Sequence, residues 1–251
     1  MPENRPFVLS IAGFDPSGGA GVLADCKTFE QHKVYGLAIN TANTIQTENE
    51  FFAIEWTPLD FTIRSVEKLF DTYDIKAVKI GIVPSLYYLN VLITEIKKLS
   101  PTTKIVWDTV LKSSTTFDFL AIENQETLKS ILIQIDLITP NYTEIIQLSN
   151  EKIPPEKIAE MLSKHCDILL KGGHNPNELG VDFLYTKDHF FRLEPHHSEV
   201  YEKHGSGCVL SSAITANLSK RENVLDACKN GKIYIENYLL SNHTKLGYHY
   251  V

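Results

Sequence analysis

The sequence predicts an α/β fold: a doubly wound, mostly parallel sheet flanked by helices. Three observations favour it. Short β-rich runs alternate with helical stretches along most of the chain, which is typical of βαβ units. The chain has 251 residues, a length at which such proteins often form one domain. A late hairpin and two final helices interrupt the strict alternation that a closed barrel needs.

Strands and helices are predicted to alternate up to Lys171. The strands are short β-rich runs, and the helices show apolar residues at three- and four-residue spacing. Strands are expected at residues 7–13, 37–45, 77–83, 104–110, 136–139 and 167–170. Helices are expected at residues 21–33, 60–73, 87–99, 125–133, 141–148 and 155–165.

The pattern changes after Lys171. Residues 181–195 alternate around a turn at 186–188 and predict a β-hairpin. Two helices, at 207–219 and 224–240, follow it. Because the sequence contains no repeat, low-complexity tract or linker, we expect a single domain over residues 1–251.

The composition indicates a globular protein without general affinity for nucleic acid or membranes. Hydrophobic residues make up 43% and charged residues 22% of the chain, which are ordinary values. A formal net charge of −7 disfavours attraction to nucleic acid or anionic lipid. The first apolar run, residues 7–12, is too short for a signal core or a membrane span, so we expect a cytoplasmic protein. The four cysteines form no C-x-x-C pair and are expected to be free thiols.

A glycine-rich segment, GFDPSGGAG at residues 13–21, follows the first strand and leads into the first helix. It lacks both the third glycine of a dinucleotide fingerprint and a Walker lysine. Its position at the carboxyl end of a strand nevertheless favours a ligand-binding loop over a flexible turn. Asp25 in the first helix and Gln46 at the end of the second strand could together recognise a heteroaromatic ring, or could simply be solvated.

Polar residues also follow the later strands. Asp108 and Glu144 are hard oxygen donors suited to Mg²⁺. Asn141 and Glu144 equally match a capping box, in which they would only begin a helix. Lys171, followed by two glycines, could act as a counter-charge for phosphate or could be a surface lysine before a turn.

A small-residue turn, Gly205-Ser206-Gly207, precedes Cys208 at the start of a predicted helix. The free amides of a helix start can bind an anion. The helix dipole should also make the Cys208 thiol easier to ionise. Cys208 could act as a base, as a nucleophile with His204, or as a buried structural residue, although no third residue is evident that would orient His204.

Together these segments resemble the hydroxymethylpyrimidine/phosphomethylpyrimidine kinases of thiamine synthesis, which belong to the ribokinase-like superfamily. The resemblance extends from about residue 8 to residue 240, with all segments in order, and its most specific parts are DPSGGAG and HGSGC. It implies phosphorylation, with ATP and Mg²⁺, of 4-amino-5-hydroxymethyl-2-methylpyrimidine and of its monophosphate. We further expect a homodimer. The alternatives are a pyridoxal/pyridoxine kinase, a cysteine hydrolase and a non-catalytic pyrimidine-binding protein.

The resemblance also implies residue roles. Cys208 would be the catalytic base, beside an anion hole formed by Gly205, Ser206 and Gly207. Mg²⁺ would be bound by Asp108 and Glu144. The nucleotide would be bound by Asn141, Lys171 and Gly173. The pyrimidine would be bound by Gly13, Asp15, Gly19, Ala20, Asp25, Gln46 and Ile82.

The departures from the family pattern include two segments whose roles are left open. Residues 112–116 read KSSTT where relatives have a lysine–serine–glycine turn, which puts the phosphate contacts of this loop in doubt. The C-terminal sequence HTKLGYHYV, residues 243–251, differs from the usual glycine- and proline-rich end and receives no role.

Overall fold

The computed structural model describes residues 4–112, 118–122, 124–175, 177–197 and 199–249. Within these ranges the strands are β1 Phe7–Phe14, β2 Tyr35–Gln46, β3 Phe51–Trp56, β4 Ile75–Ile80, β5 Lys104–Trp107, β6 Leu137–Ile138, β7 Asp167–Leu170, β8 Asp182–Tyr185 and β9 Phe190–Leu193. They form one sheet in the order β3-β2-β1-β4-β5-β6-β7-β8-β9. The strands from β2 to β7 in that order are parallel, whereas β3, β8 and β9 are antiparallel to their neighbours.

Helices cover both faces of this sheet. They are α1 Gly21–Gln31, α2 Leu59–Thr72, α3 Leu86–Leu99, α4 Gln125–Leu132, α5 Tyr142–Gln147, α6 Pro155–Leu162, α7 Ser206–Ser219 and α8 Val224–Leu240. Successive side chains of a strand point to opposite faces, and β5 illustrates the result. Ile105 and Trp107 lie in the core cluster that contains α3 to α6, whereas Val106 lies in the cluster that contains α7 and α8. The predicted doubly wound α/β fold is therefore confirmed.

The order of the strands reverses at β1. The chain passes from β1 to β2 and β3 on one side, then returns to β4 on the other side of β1. In open α/β sheets, ligands bind at such a switch point, outside the carboxyl ends of the strands. The loops that follow β1 and β4 flank this position.

Most predicted elements are confirmed, with ends that differ by a few residues. The late hairpin forms as β8 and β9, and the two final helices form as α7 and α8. The predicted strand 104–110 ends at Trp107, because the chain leaves the sheet at Asp108. Strand β3 was not predicted, although its sequence FFAIEW has the aromatic and apolar content of a strand.

Among the described residues, no helix is long and apolar enough to cross a membrane. Helix α7 is largely enclosed, since every residue from Val209 to Ser219 is buried. Its N-terminus therefore lies at a fixed position beside the switch point. All four cysteines are free thiols, as predicted.

Candidate active site

Two loops at the switch point contact each other backbone to backbone. The first, the glycine loop, consists of residues 13–21; a Cβ at Gly21, where φ is +59°, would lie 2.1 Å from the Gly13 carbonyl oxygen. The second contains Gly205 at the start of α7, where φ is +71° and a Cβ would lie 2.1 Å from the Gly19 carbonyl oxygen. Both positions require glycine. The predicted ligand loop and the predicted anion hole are thus adjacent.

Asp15 holds these two loops together. Its carboxylate accepts the amides of Ser17 and Ala20, both at 2.9 Å, and contacts His204 Nε2 at 2.9 Å. Burial alone would raise the pKa of Asp15, but the hydrogen bonds from His204 and Ser17 bring it below its ordinary value. Asp15 is only 1% exposed and its contacts shape the loop, whereas its expected contact with the substrate stays a prediction. His204 Nε2 is bound to Asp15, an arrangement that does not support a Cys208–His204 nucleophile pair.

Asp25 lies beneath the glycine loop and exposes no surface. Its two oxygens contact Lys79 Nζ at 2.9 and 3.0 Å and accept the hydroxyls of Ser10 at 2.5 Å and Ser212 at 2.7 Å. These partners do not favour a direct contact between Asp25 and a ring, which stays a prediction. Both oxygens already have partners, and a ligand in the cleft cannot reach them without a rearrangement.

Lys79 lies between Asp25, beneath the glycine loop, and Asp108, at the end of β5. The sequence analysis assigns it no role. Its ammonium pairs with Asp25 and lies 4.0 Å from Asp108 Oδ2. Burial acts to lower the pKa of Lys79, but Asp25, Cys208 and Asp108 together raise it, so Lys79 stays protonated. The signal was available in the sequence, because a lysine within the apolar run AVKIGIV must be buried with a partner.

Lys171 Nζ lies between two carboxylates, 3.2 Å from Asp108 Oδ1 and 3.7 Å from Glu144 Oε2. The Thr139 hydroxyl also donates to Asp108 Oδ1, at 3.2 Å. Asp108 Oδ2 is buried without a hydrogen-bond partner. Burial acts to raise the pKa of Asp108, but Lys171 and Lys79 bring it below its ordinary value. This is an ionised carboxylate, one oxygen of which faces Lys79 without a hydrogen-bond partner.

Asn141 and Glu144 form the capping box that begins α5. The Asn141 side chain accepts the amides of Thr143 and Glu144, and Glu144 Oε2 accepts the Asn141 amide at 2.8 Å. The helix-capping interpretation is therefore confirmed, and the same Glu144 oxygen is the one nearest Lys171. Lys171 is not a surface lysine, since its side chain is only 13% exposed.

Cys208 occupies the first turn of α7. A Cβ at the preceding Gly207 would lie 3.2 Å from Lys171 Nζ, so Lys171 lies beside the helix N-terminus. The expectation of an easily ionised thiol is wrong in this structure. Burial raises the pKa of Cys208 to about 12. The positive charge of Lys79 acts to lower this pKa, but the negative charges of Asp108 and Asp25 act against it.

The remaining residues expected to contact the ring lie around the glycine loop. Ile82 packs over Gly13, where an added Cβ would lie 2.5 Å from Ile82 Cδ1. Ala20 is the N-cap of α1, and Gln46 ends β2. Ala20, Gln46 and Ile82 are all half-buried. Their contact with a ring stays a prediction.

Gly173 lies at the opposite side of the site, in the turn Gly172–His174 after β7. A Cβ there would meet no atom within 4 Å, so open space adjoins this residue. Of the divergent loop 112–116, Lys112 pairs with Asp118 at 2.9 Å. Residues 113–116 lie outside the described residues.

The C-terminal segment also reaches the site, which sequence analysis did not foresee. The His204 amide donates to the Lys245 carbonyl at 2.9 Å. A Cβ at Gly19 would lie 2.9 Å from Leu246 Cδ2. The segment thus packs on the glycine loop and on the turn before α7, a contact between distant parts of the sequence that no local pattern reports.

Mg²⁺ prefers oxygen ligands such as carboxylates. In the described part of the chain, no group of three or more His, Cys, Asp or Glu side chains could hold a metal ion. Mg²⁺ in nucleotide sites is often held by one or two carboxylates plus phosphate and water. Asp108 Oδ2 and the nearby Glu144 fit that mode of binding.

The fold and this site define a ribokinase-like phosphotransferase class, with a helix N-terminus and a lysine next to a ligand loop at the switch point. The chain matches the phosphomethylpyrimidine kinase family over residues 15–251. It therefore belongs to that family, and the resemblance identified from the sequence is confirmed.

Individual relatives agree with this assignment. The hydroxymethylpyrimidine/phosphomethylpyrimidine kinase of Aquifex aeolicus (strain VF5) is 36% identical over 250 residues, covering 96% of each chain. The crystal structure of phosphomethylpyrimidine kinase from Clostridium difficile 630 has a TM-score of 0.78 and 32% identity, covering 92% of this chain and 98% of that one. An ADP complex of Bacillus subtilis pyridoxal kinase has a TM-score of 0.82 and 26% identity, covering 95% and 93%.

Proposed function

We propose that this chain transfers the γ-phosphoryl group of ATP to the hydroxymethyl group of 4-amino-5-hydroxymethyl-2-methylpyrimidine, and then a second one to the monophosphate, in thiamine biosynthesis. Family membership supports kinase activity, and relatives named for both steps support this pair of substrates. The observation that carries the proposal is the convergence of the α7 N-terminus, Lys171 and Asp108 next to the glycine loop.

That convergence suits phosphoryl transfer. The reaction needs positioned groups and neutralised charge more than covalent chemistry. The amides of Ser206, Gly207 and Cys208 lie at the start of α7, where an anion is favoured. Lys171 adds a positive charge beside them. In the first step the substrate oxygen forms a bond to the γ-phosphorus, the bond from that phosphorus to the β–γ bridging oxygen breaks, and the hydroxyl proton is lost.

Cys208 is the group we assign as the base for that proton. The raised pKa of its thiol means that it is protonated in the ligand-free protein at neutral pH. To take up the substrate proton, the thiol must first lose its own proton to solvent, and the charge of Lys79 and the helix start both favour the resulting thiolate. The monophosphate used in the second step is already largely ionised near neutral pH, so it needs this assistance much less.

The nucleotide and metal are assigned to the side of the site that carries Asp108, Glu144 and Lys171. Lys171 would neutralise phosphate charge, with Asn141 and Gly173 on the same side. Asp108 and Glu144 would hold Mg²⁺, which would supply further neutralisation of the transferring group. Support comes from Asp108 Oδ2, a buried oxygen without a hydrogen-bond partner.

The pyrimidine is assigned to the glycine loop. Gly13, Gly19 and Ala20 would contact the ring, Ile82 would pack against it, and Gln46 would supply both a donor and an acceptor to its polar edge. Asp15 would fix the conformation of the glycine loop, and Asp25 would fix the position of Lys79 beneath it.

A pyridoxal kinase is the second candidate, because Bacillus subtilis pyridoxal kinase shares the fold at a TM-score of 0.82. Both substrates are aromatic rings with a hydroxymethyl group. Relative kcat/KM on the aminopyrimidine and on pyridoxal separates the two, and a strong preference for pyridoxal would replace the first assignment.

We further propose a cytoplasmic, single-domain homodimer. The edge hairpin β2–β3 leaves Ile45 64% and Phe52 63% exposed, and burying such residues favours association. Light scattering after size exclusion should report a dimer for the wild-type chain and a monomer for Ile45→Glu/Phe52→Glu.

An ADP-release assay with purified protein tests the function. ADP should form with ATP, Mg²⁺ and the aminopyrimidine, and a second equivalent should form from the monophosphate. A cysteine hydrolase would need neither ATP nor metal. Tight pyrimidine binding without ADP formation would indicate a non-catalytic binding protein.

A further inference from the structure

We propose that Lys232 and Asp182, which lie outside the site described above, are positioning residues for its nucleotide side. The proposal rests on the assignment of ATP to the Lys171 side. It is carried by a chain of contacts that runs from α8 to the turn directly after Lys171.

Gly172 is the residue that this chain of contacts fixes. Its amide donates to Asp182 Oδ1 at 2.6 Å, and its carbonyl accepts the Gly180 amide at 2.9 Å. A Cβ on Gly172 would lie 1.9 Å from the Val181 carbonyl oxygen. Residues 180–182 therefore hold the backbone between Lys171, whose ammonium lies beside the α7 N-terminus, and Gly173, which adjoins open space.

Lys232 holds residues 180–182 in turn. It projects from α8, and its Nζ donates to the Gly180 carbonyl at 2.6 Å and to Asp182 Oδ2 at 2.8 Å. The Lys232 and Asp182 side chains are only 6% and 8% exposed. Asp182 thus uses one oxygen for Gly172 and the other for Lys232, and Gly180 provides a second link between Lys232 and Gly172, so the position of the helix is transmitted to the turn by both routes.

Lys232 also faces a second buried carboxylate. Glu236 lies 3.6 Å from Lys232 and accepts the His196 amide at 2.8 Å, so one buried ammonium faces two carboxylates. Buried ion pairs are often no more stabilising than apolar residues of similar volume, and their better-attested use is to fix one arrangement. Here the arrangement that is fixed is the turn beside Lys171.

A control with the same kinds of contact, although more exposed at 22% and 24%, exists at the opposite end of the parallel strands. Lys97 of α3 donates to the Thr103 carbonyl at 2.8 Å and pairs with Asp136 at 3.4 Å, and Asp136 accepts the Ile105 amide at 2.8 Å. The same three kinds of contact recur there, but at the amino ends of β5 and β6. Lys97→Met should therefore report the cost of losing such a lysine without disturbing the site.

The test compares Lys232→Met with Lys97→Met in the full chain. ADP affinity is measured by calorimetry with Mg²⁺ present, and the KM values for ATP and for the pyrimidine are measured separately. For Lys232→Met, kcat/KM for ATP should fall about 10- to 100-fold, because moving a catalytic or binding group by about 1 Å can reduce a rate by up to about 100-fold. ADP affinity should fall with it, and the KM for the pyrimidine should stay unchanged. Lys97→Met should change none of these.

Equal behaviour of the two variants, with lowered melting temperatures and unchanged ADP affinity, would overturn the proposal. If Lys232→Met does not fold, Asp182→Asn/Lys232→Met removes both charges together and takes its place, with the same expected loss of ADP affinity. Failure of the proposed function is a different result, because the wild-type chain itself would then not bind ADP.

Discussion

The two sides of the site use buried carboxylates in opposite ways. The acceptor side is the part that would hold the phosphoryl acceptor, and it consists of the glycine loop and the residues beneath it. There, both carboxylate oxygens of Asp15 and of Asp25 receive hydrogen bonds. On the donor side, consisting of Asp108, Glu144 and Lys171, one ammonium serves two carboxylates and Asp108 Oδ2 has no hydrogen-bond partner.

This difference matches the ligands proposed for each side. A neutral pyrimidine needs a preformed shape, which a fully hydrogen-bonded loop supplies. A nucleotide with its metal brings large charges of both signs, and it needs groups whose charges are not yet fully matched. Lys79 lies between the two sides, in contact with Asp25 and 4.0 Å from Asp108.

The largest effect is expected where the two sides meet. Cys208→Ala should reduce phosphorylation of the hydroxymethyl group by ~10²–10⁴-fold, the usual contribution of a positioned base. Phosphorylation of the monophosphate should fall much less, because its acceptor oxygen is already ionised. Single-turnover rates of the two steps measure the difference.

The matched control is Cys26→Ala. Cys26 is another half-buried free thiol, and it lies in the field of the same Asp25 and Lys79 charges. Its loss should leave both rates unchanged. Equal losses in the two steps of Cys208→Ala would show that Cys208 shapes the anion hole and does not act as the base.

The most direct test of the acceptor side removes its buried ion pair between Asp25 and Lys79. Asp25→Asn should lower the free energy of unfolding by ~3–5 kcal/mol, because it leaves the buried Lys79 without its main partner. Urea unfolding measures this loss. Asp74→Asn, in an exposed pair with Lys76, should cost less than about 1 kcal/mol.

The opposite result would restore the interpretation made from sequence alone. If Asp25→Asn keeps wild-type stability and only raises the KM for the pyrimidine, Asp25 contacts the ring directly. Its lack of exposed surface would then describe the ligand-free protein alone.

Sequence patterns predicted the fold well because each helix, strand or turn depends mainly on residues that are close in sequence. The βα alternation, the hairpin at 181–195 and the capping box at Asn141 each depend on residues close in sequence. The donor side was also predictable, since Asp108 and Lys171 both follow parallel strands, whose carboxyl ends meet at one edge.

What the sequence did not reveal depends on partners that are distant in sequence. Asp15 meets His204, and Asp25 meets Lys79 and Ser212, only through the tertiary fold. The thiol of Cys208 was expected to ionise easily because the helix start is a local feature. Its burial among Asp25 and Asp108 is not local, and burial has the larger effect.

A smaller effect is expected at the polar edge of the ring. Gln46→Ala should lower kcat/KM for the aminopyrimidine about tenfold, since an unpaired buried polar group costs ~1–3 kcal/mol and 1.36 kcal/mol is tenfold. The KM for ATP should stay unchanged. Asn43→Ala, an exposed amide on the same strand, is the control. A loss of ATP binding instead would mean that the two sides are assigned the wrong way round.

The smallest effect is expected at Glu144, and it decides whether the donor side binds metal through one carboxylate or two. Glu144→Gln keeps an oxygen that can accept the Asn141 amide, so the capping box should lose no more than about 1 kcal/mol of stability. If Glu144 also holds Mg²⁺, the metal concentration for half-maximal rate should rise. Asp108→Asn should raise it further, because Asp108 Oδ2 is the acceptor without a hydrogen-bond partner. Titrating Mg²⁺ against rate measures both variants. If Asp108→Asn needs more Mg²⁺ for half-maximal rate but Glu144→Gln does not, Glu144 is only a helix cap that helps to hold Lys171.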